Sequence, residues 1–267
     1  MKLLAILLVF AAVAAAAVFY VGAYDISATD QHLAPTYWVL DTGMRRSVRQ
    51  RAEEITVPNL SEIGQIQHGL ALYREHCVQC HGAPGVAPAA FALGMTPAPA
   101  NLVYTAREWR PAEVFWVVRE GIKMTGMPAW KYRMADEDIW AIVSFMRELP
   151  ALSPDEYRLR KSERTAGIDP GVPDTPDADR GSRAINQYAC VTCHQIPGIV
   201  GANAPVGPPL NEIGTRGFIA GVLPNTPQNM VRWLRHPQAV NPKSAMPDLG
   251  VTERDARDIA AYLATLR

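Results

Sequence analysis

The chain has 267 residues, with 26 Lys and Arg set against 26 Asp and Glu, and 48 % of it is hydrophobic. That length allows about two domains with a core each, and the zero formal charge gives no signal for binding a nucleic acid or other polyanion. The 22 prolines and 19 glycines point to long loops.

Met1-Lys2 is followed by an uncharged run from Leu3 to Ala23. About 20 apolar residues span a bilayer core. The run is longer than the ~7–15-residue core of a signal peptide, although Val21-Gly22-Ala23 offers small residues for cleavage. A retained anchor (1–23) is the favoured reading. Lys2 is the only flanking side-chain cation, which places the N-terminus in the cytoplasm and the rest outside. The juxtamembrane segment, 24–60, has no ligand motif. Its Tyr37 and Trp38 suit a membrane interface. Residues 44–54 read as a polar helix with a thin apolar stripe, suited to lipid headgroups, to a partner subunit or to packing across the next domain.

Cys77-Val78-Gln79-Cys80-His81 reads C-x-x-C-H, and so does Cys190-Val191-Thr192-Cys193-His194. This is the attachment signature of a c-type haem. The two cysteines form thioethers with the haem vinyl groups, and the histidine takes the iron. The two pairs use every cysteine in the chain. A zinc site needs four ligands, and a thioredoxin-like pair or a disulfide needs no adjacent histidine, least of all twice.

The spacing predicts a helix before Cys77, with Gly69 and Tyr73 on the face that carries that cysteine. A Pro- and Gly-rich loop follows His81. Residues 111–120 form a helix opened by Pro111. Met124-Thr125-Gly126-Met127-Pro128-Ala129-Trp130 leads to a helix over 136–149. Residues 151–180 read as a linker. The second half then repeats the plan. Gly181 and Ile185 precede Cys190, Gly207-Pro208-Pro209-Leu210 follows His194, and helices over 227–235 and 252–266 flank Met246-Pro247. This is a tandem duplication of one supersecondary unit.

Each half resembles a class I cytochrome c domain, over 61–150 and 181–267. The resemblance implies an all-α fold of two such domains after an N-terminal transmembrane helix, with a covalent haem c on Cys77 and Cys80 and another on Cys190 and Cys193. It implies that the helix before each haem motif crosses the last helix of its domain. Gly69 and Tyr73 would meet Ile142 and Phe145; Gly181 and Ile185 would meet Ile259 and Tyr262. Gly181 lies one residue further from its cysteine than Gly69 does, so the second crossing is left open. The resemblance also implies that His81 and Met127, then His194 and Met246, are the axial iron ligands, with Met124 the competitor of Met127. Gly207-Pro208-Pro209-Leu210 resembles the turn whose first proline carbonyl receives the proximal histidine N–H. Thr96-Pro97-Ala98-Pro99 lies in the matching region of the first half without the same motif. Met44, Met146 and Met230 read as filler, and His32, His68, His76 and His236 as surface residues.

Gly221-Val222-Leu223-Pro224-Asn225-Thr226-Pro227, with Trp233-Leu234-Arg235 and Met246-Pro247, resembles the cytochrome c domain fused to subunit II of bacterial haem-copper oxidases. The first half, through Gly121 to Trp130, looks like cytochrome subunits of periplasmic dehydrogenases and respiratory complexes. The implied function is electron transfer on the periplasmic side of a bacterial inner membrane, between a donor complex and a terminal oxidase, with no catalysis of its own. A dihaem peroxidase and the electron-accepting subunit of one periplasmic dehydrogenase are the alternatives. Residues 61–150 carry 8 Lys/Arg and 9 Asp/Glu, and residues 181–267 carry 8 and 5. That asymmetry suggests that the second half delivers electrons to an acidic docking face.

Overall fold

The structure, a computed structural model, describes residues 2–161 and 175–267. It is all-α as expected, apart from one short hairpin. The first helix, α1 (Lys2–Tyr20), is uncharged after Lys2, exposed throughout, and long and apolar enough to cross a membrane. The next, α2 (Ala34–Ala52), is longer than the helix expected over 44–54. It begins ten residues earlier because Pro35 occupies its first turn, where the missing N–H leaves no bond unmade.

Two compact units form. One contains the chain up to Val117, Ile122–Met127 and the chain from Ala141; the other contains Val118–Gly121, Pro128–Trp140 and the chain through to Arg267. In the first, α3 (Ile63–His76) leads straight into α4 (Val78–His81). Two short helices follow, α5 (Ala90–Leu93) and α6 (Leu102–Glu108), and then α7 (Pro111–Glu120) and α8 (Asp136–Met146), of which residues 111–117 and 141–146 belong to this unit. Helix α8 stops three residues short of the expected end, and a 3-10 turn at Leu149–Ala151 takes over around Pro150.

Helices α3 and α8 cross at Gly69. A Cβ there would sit 1.8 Å from the Ala141 carbonyl oxygen, so only hydrogen fits. Tyr73 and Phe145 meet edge to face at 5.2 Å, the contact that the resemblance implied. His68, expected at the surface, is buried on this same helix.

The expected linker starts later than 151. Ser153 and Glu156 form a capping box for α9 (Pro154–Leu159), whose Tyr157 is buried against Phe145. Arg74 donates to the Tyr157 carbonyl at 2.6 Å. Residues 162–174 of that linker lie outside the described residues.

The second unit is built on α10 (Ala178–Gln187), α11 (Pro227–Arg235), α12 (Pro237–Val240) and α13 (Glu253–Thr265). Its core joins Ile185, Tyr188, Ile213, Met230, Leu234 and Ile259. Gly181 makes the crossing despite its shifted spacing: a Cβ there would lie 2.0 Å from the Asp258 carbonyl oxygen. The extra residue is absorbed by Ala189, in the left-handed region at φ 54° between the end of α10 and Cys190. The carboxylate of Asp258, 2 % exposed, is met by the Arg180 guanidinium at 2.7 Å and by the Asp177 N–H. A hairpin, β1 (Phe218–Ile219) with β2 (Leu223–Pro224), turns through Ala220 and Gly221, both at positive φ. That is the turn which matches the twist of an antiparallel pair.

Residues 118–121 and 128–140, expected in the first domain, gather in the second unit. Arg119 bonds Asp136 at 2.9 Å, and Arg133 donates to the Gln187 carbonyl. Tyr188 donates to the Tyr132 carbonyl and also bonds the Asp255 carboxylate.

Candidate functional sites around the two C-x-x-C-H motifs

Helix α3 delivers the first motif. Its last turn continues through Cys77, whose N–H donates to the Tyr73 carbonyl at 2.9 Å. Cys77, Cys80 and His81 then share one short helical turn. Tyr73 reaches past it and donates from its hydroxyl to the Gly82 carbonyl at 2.8 Å. Gly82 has φ 64°, and a Cβ there would strike the Val86 carbonyl oxygen. The chain therefore turns away sharply after His81. The second motif forms a 3-10 turn, Cys190–Thr192, instead of an α-turn, following the left-handed Ala189.

All four thiols are free of one another. Burial pushes the Cys77 thiol up to about 12 and the Cys190 thiol up to about 11, and the neighbouring Cys80 and Cys193 add to the effect. A redox-active or nucleophilic cysteine needs the opposite shift. Among the described residues no three His, Cys, Asp or Glu side chains converge as a metal cage.

Both histidines are oriented in the same way. His81 Nδ1 lies 2.8 Å from the Ala100 carbonyl, and His194 Nδ1 lies 2.8 Å from the Pro208 carbonyl. A carbonyl only accepts, so Nδ1 carries the proton and Nε2 presents a lone pair. Burial lowers the His81 pKa, against the opposing effect of that bond, which favours the neutral ligand form. The Pro208 contact is the one that the Gly207-Pro208-Pro209-Leu210 turn implied. Its counterpart in the first half is Ala100, which the sequence comparison missed; it lies one residue beyond Thr96-Pro97-Ala98-Pro99. Asn101 follows as the N-cap of α6, taking the N–H groups of Val103 and Tyr104. Gly207 is required by the ring itself: a Cβ there would sit 2.6 Å from His194 Cε1.

The two methionine loops share a device that sequence reasoning did not extract. The Met127 N–H donates to Thr125 Oγ1 at 3.1 Å, and the Met246 N–H donates to Ser244 Oγ at 3.1 Å. A hydroxyl two residues upstream thus fixes the backbone of each methionine. Thr125 also donates to the Ile122 carbonyl, and Ile122 N–H returns to the Met127 carbonyl, closing the loop. Met124 is 98 % exposed and has φ 58°, so the loop turns it to solvent while Met127 is half-buried. Met95 is a second half-buried thioether at this loop, and its methyl fills the space where a Gly126 side chain would lie. Thr125→Ala and Ser244→Ala should each loosen their loop by about 1 kcal/mol, seen as faster amide exchange at Met127 or Met246. Thr125→Ser should keep the protection; unchanged exchange in the alanine variants would contradict the role.

Residues 64–146 match the family described as cytochrome c oxidase, cbb3-type, subunit III, and residues 178–267 match the cytochrome c family. Cytochrome c oxidase subunit 2 of Alkalihalophilus pseudofirmus is 30 % identical over 121 residues, covering 45 % of this chain and 34 % of that protein. Cytochrome c oxidase subunit 2 of Bacillus sp. strain PS3 is 31 % identical over 96 residues, covering 34 % of this chain and 27 % of that protein. The chain thus spans about a third or less of the length of these relatives. Among solved structures, a chain of the Kuenenia stuttgartiensis reducing HAO-like protein complex aligns over 79 % of this chain and 99 % of its own, at 19 % identity and a TM-score of 0.29.

Proposed function

We propose that this chain, which carries two cytochrome c domains, is a membrane-anchored dihaem electron carrier of the periplasmic face. The observation that supports it is that each half holds, by the same local devices, a histidine whose Nδ1 is tied to a carbonyl and a methionine whose N–H is tied to a hydroxyl. Cys77 and Cys80 would hold one haem c, and Cys190 and Cys193 the other. His81 with Met127, and His194 with Met246, would supply the axial ligands. Haem supplies a reversible one-electron iron couple, whose potential a methionine opposite histidine raises.

The protein's part is positioning. The carbonyls of Ala100 and Pro208 hold each imidazole in one tautomer and raise its basicity. The Thr125 and Ser244 hydroxyls hold the methionine backbones, and Pro128 and Pro247 keep the following chain extended. A histidine and a methionine both held for the iron would suit it to passing electrons rather than to oxygen or peroxide chemistry.

The reading includes delivery from the second domain to a terminal oxidase. Arg235 is engaged by Glu253 at 3.4 Å, whereas Arg232 and Lys243, which flank the Met246 loop in sequence, are exposed. Lys243→Glu should slow electron delivery to an oxidase and flatten its salt dependence, with both potentials unchanged. Unaltered delivery would remove this face from the proposal. Rapid peroxide turnover by the purified protein would instead favour the peroxidase.

A further inference from the structure

Helix α2 is divided in two. Its C-terminal half packs on the first unit: Val48 and Ala52 are buried, the Arg45 guanidinium stacks over Trp109 at 5.4 Å, and Arg49 lies 3.8 Å from Glu113. Its N-terminal half is largely exposed. Tyr37, Trp38, Val39 and Leu40 are between 54 % and 67 % exposed, and so is the preceding Leu33, at 65 %. Four consecutive residues on a helix point in all directions. The apolar exposure is therefore all round, not a stripe, and a helix that is apolar on every side belongs in an apolar medium.

The position of this tip is fixed by what precedes it. Tyr24 follows α1 closely and His32 sits just before Leu33. The Tyr24 hydroxyl meets His32 Nδ1 at 2.7 Å, and their rings stack at 6.3 Å. This contact closes the connection into a loop and returns the start of α2 to the exit of α1. Thr96 pins the same loop by donating to the Ala28 carbonyl at 2.7 Å. No Asp, Glu, Lys or Arg occurs from residue 31 to residue 40. The first charges of the helix are the pair Asp41 and Arg45 at 2.9 Å, with Arg46 and Arg49 exposed beyond them. Apolar and aromatic residues first and cations one to two turns later is the order met on leaving a bilayer, from acyl boundary to headgroups.

We propose that residues 33–40 insert into the outer leaflet as a second membrane attachment, so that α2 is a strut holding the first cytochrome c domain at the bilayer. The occupant is lipid, not a partner protein. The strut is short: Tyr37 and Val48 are separated by about 16 Å of helix. The inference rests on the reading of α1 as a retained anchor.

The test uses the full-length haem-loaded protein in lipid nanodiscs. With the native cysteines taken up by haem, Trp38→Cys or Leu40→Cys provides a single thiol for a spin label, as does Val13→Cys in α1 or Gln50→Cys on the exposed side of α2. Labels at 38 and 40 should collide more with oxygen than with a water-soluble nickel chelate, as the label at 13 should, and the label at 50 should show the reverse. Nickel-accessible labels at 38 and 40 beside a lipid-protected label at 13 would overturn the strut and leave the anchor standing. Nickel access at all three sites would overturn both. Shielding of 38 and 40 from oxygen and nickel alike would mean protein contact, and would also overturn the lipid assignment.

Discussion

Met127→Ala and Met246→Ala should each remove one methionine–iron charge-transfer band and lower one of two redox potentials, leaving the other haem as it was. Axial ligands set haem potentials over a range of about 0.8 V, so the expected drop is some tenths of a volt. A soft thioether bound to the iron would stabilise its ferrous state, and loss of the methionine would leave histidine with water or a harder ligand. The controls are specific. Met124→Ala should change nothing, because that side chain is 98 % exposed on a left-handed residue of the loop. Met95→Ala should keep the band, although its methyl lies against Gly126. A band that survives Met127→Ala but disappears in Met95→Ala would reassign the ligand. Redox titration with near-infrared spectra of the four variants decides between these outcomes.

The second large effect is on stability. Gly69→Ala places a Cβ 1.8 Å from the Ala141 carbonyl oxygen, and Gly181→Ala places one 2.0 Å from the Asp258 carbonyl oxygen. Neither obstacle is a flexible side chain; both are backbone of the crossing helix. Overpacking a tight core costs about 1–3 kcal/mol and occasionally more, and these contacts belong at the upper end. The Gly181 change also displaces the residue whose carboxylate takes the Arg180 guanidinium. Gly43→Ala is the counterpart: it lies within α2 with nothing inside 4 Å. It should stabilise by roughly 0.5–1 kcal/mol through reduced chain entropy. Denaturant unfolding followed by circular dichroism measures all three. Equal effects at Gly43 and Gly69 would mean that the crossing is looser than its geometry.

What was legible in the sequence was whatever depends on local spacing. The C-x-x-C-H motifs, the helix over 111–120 and the helix over 227–235 follow from short-range pattern, and they appear where expected. The crossing at Gly69 was legible because glycine, tyrosine and cysteine share one face of an unbroken helix. The contact of Gly181 with Ile259 was implied by the resemblance, and only its detail was hidden by the one extra residue before Cys190. Nothing in the letters Tyr188-Ala189 announces a left-handed alanine, which is set by the packing on either side. The burial of His68 was not legible either, because no local pattern marks which side of α3 a histidine faces. The Ala100 carbonyl was invisible because backbone acceptors carry no residue signature. The hydroxyls of Thr125 and Ser244 were readable in principle, since each stands two residues before a Met-Pro pair. Aligning the halves on methionine instead of on cysteine would have found them. The gathering of residues 128–140 with the second unit rests on contacts such as Arg133 with the Gln187 carbonyl, far apart in sequence.

The central claim is that each half holds iron between one histidine and one methionine. Low-temperature electron paramagnetic resonance, with near-infrared magnetic circular dichroism of the oxidised full-length protein, tests it most directly. The account predicts two haems per chain, both low-spin and both with a methionine–iron charge-transfer band. A high-spin centre, a bis-histidine signal or a single haem per chain would contradict it.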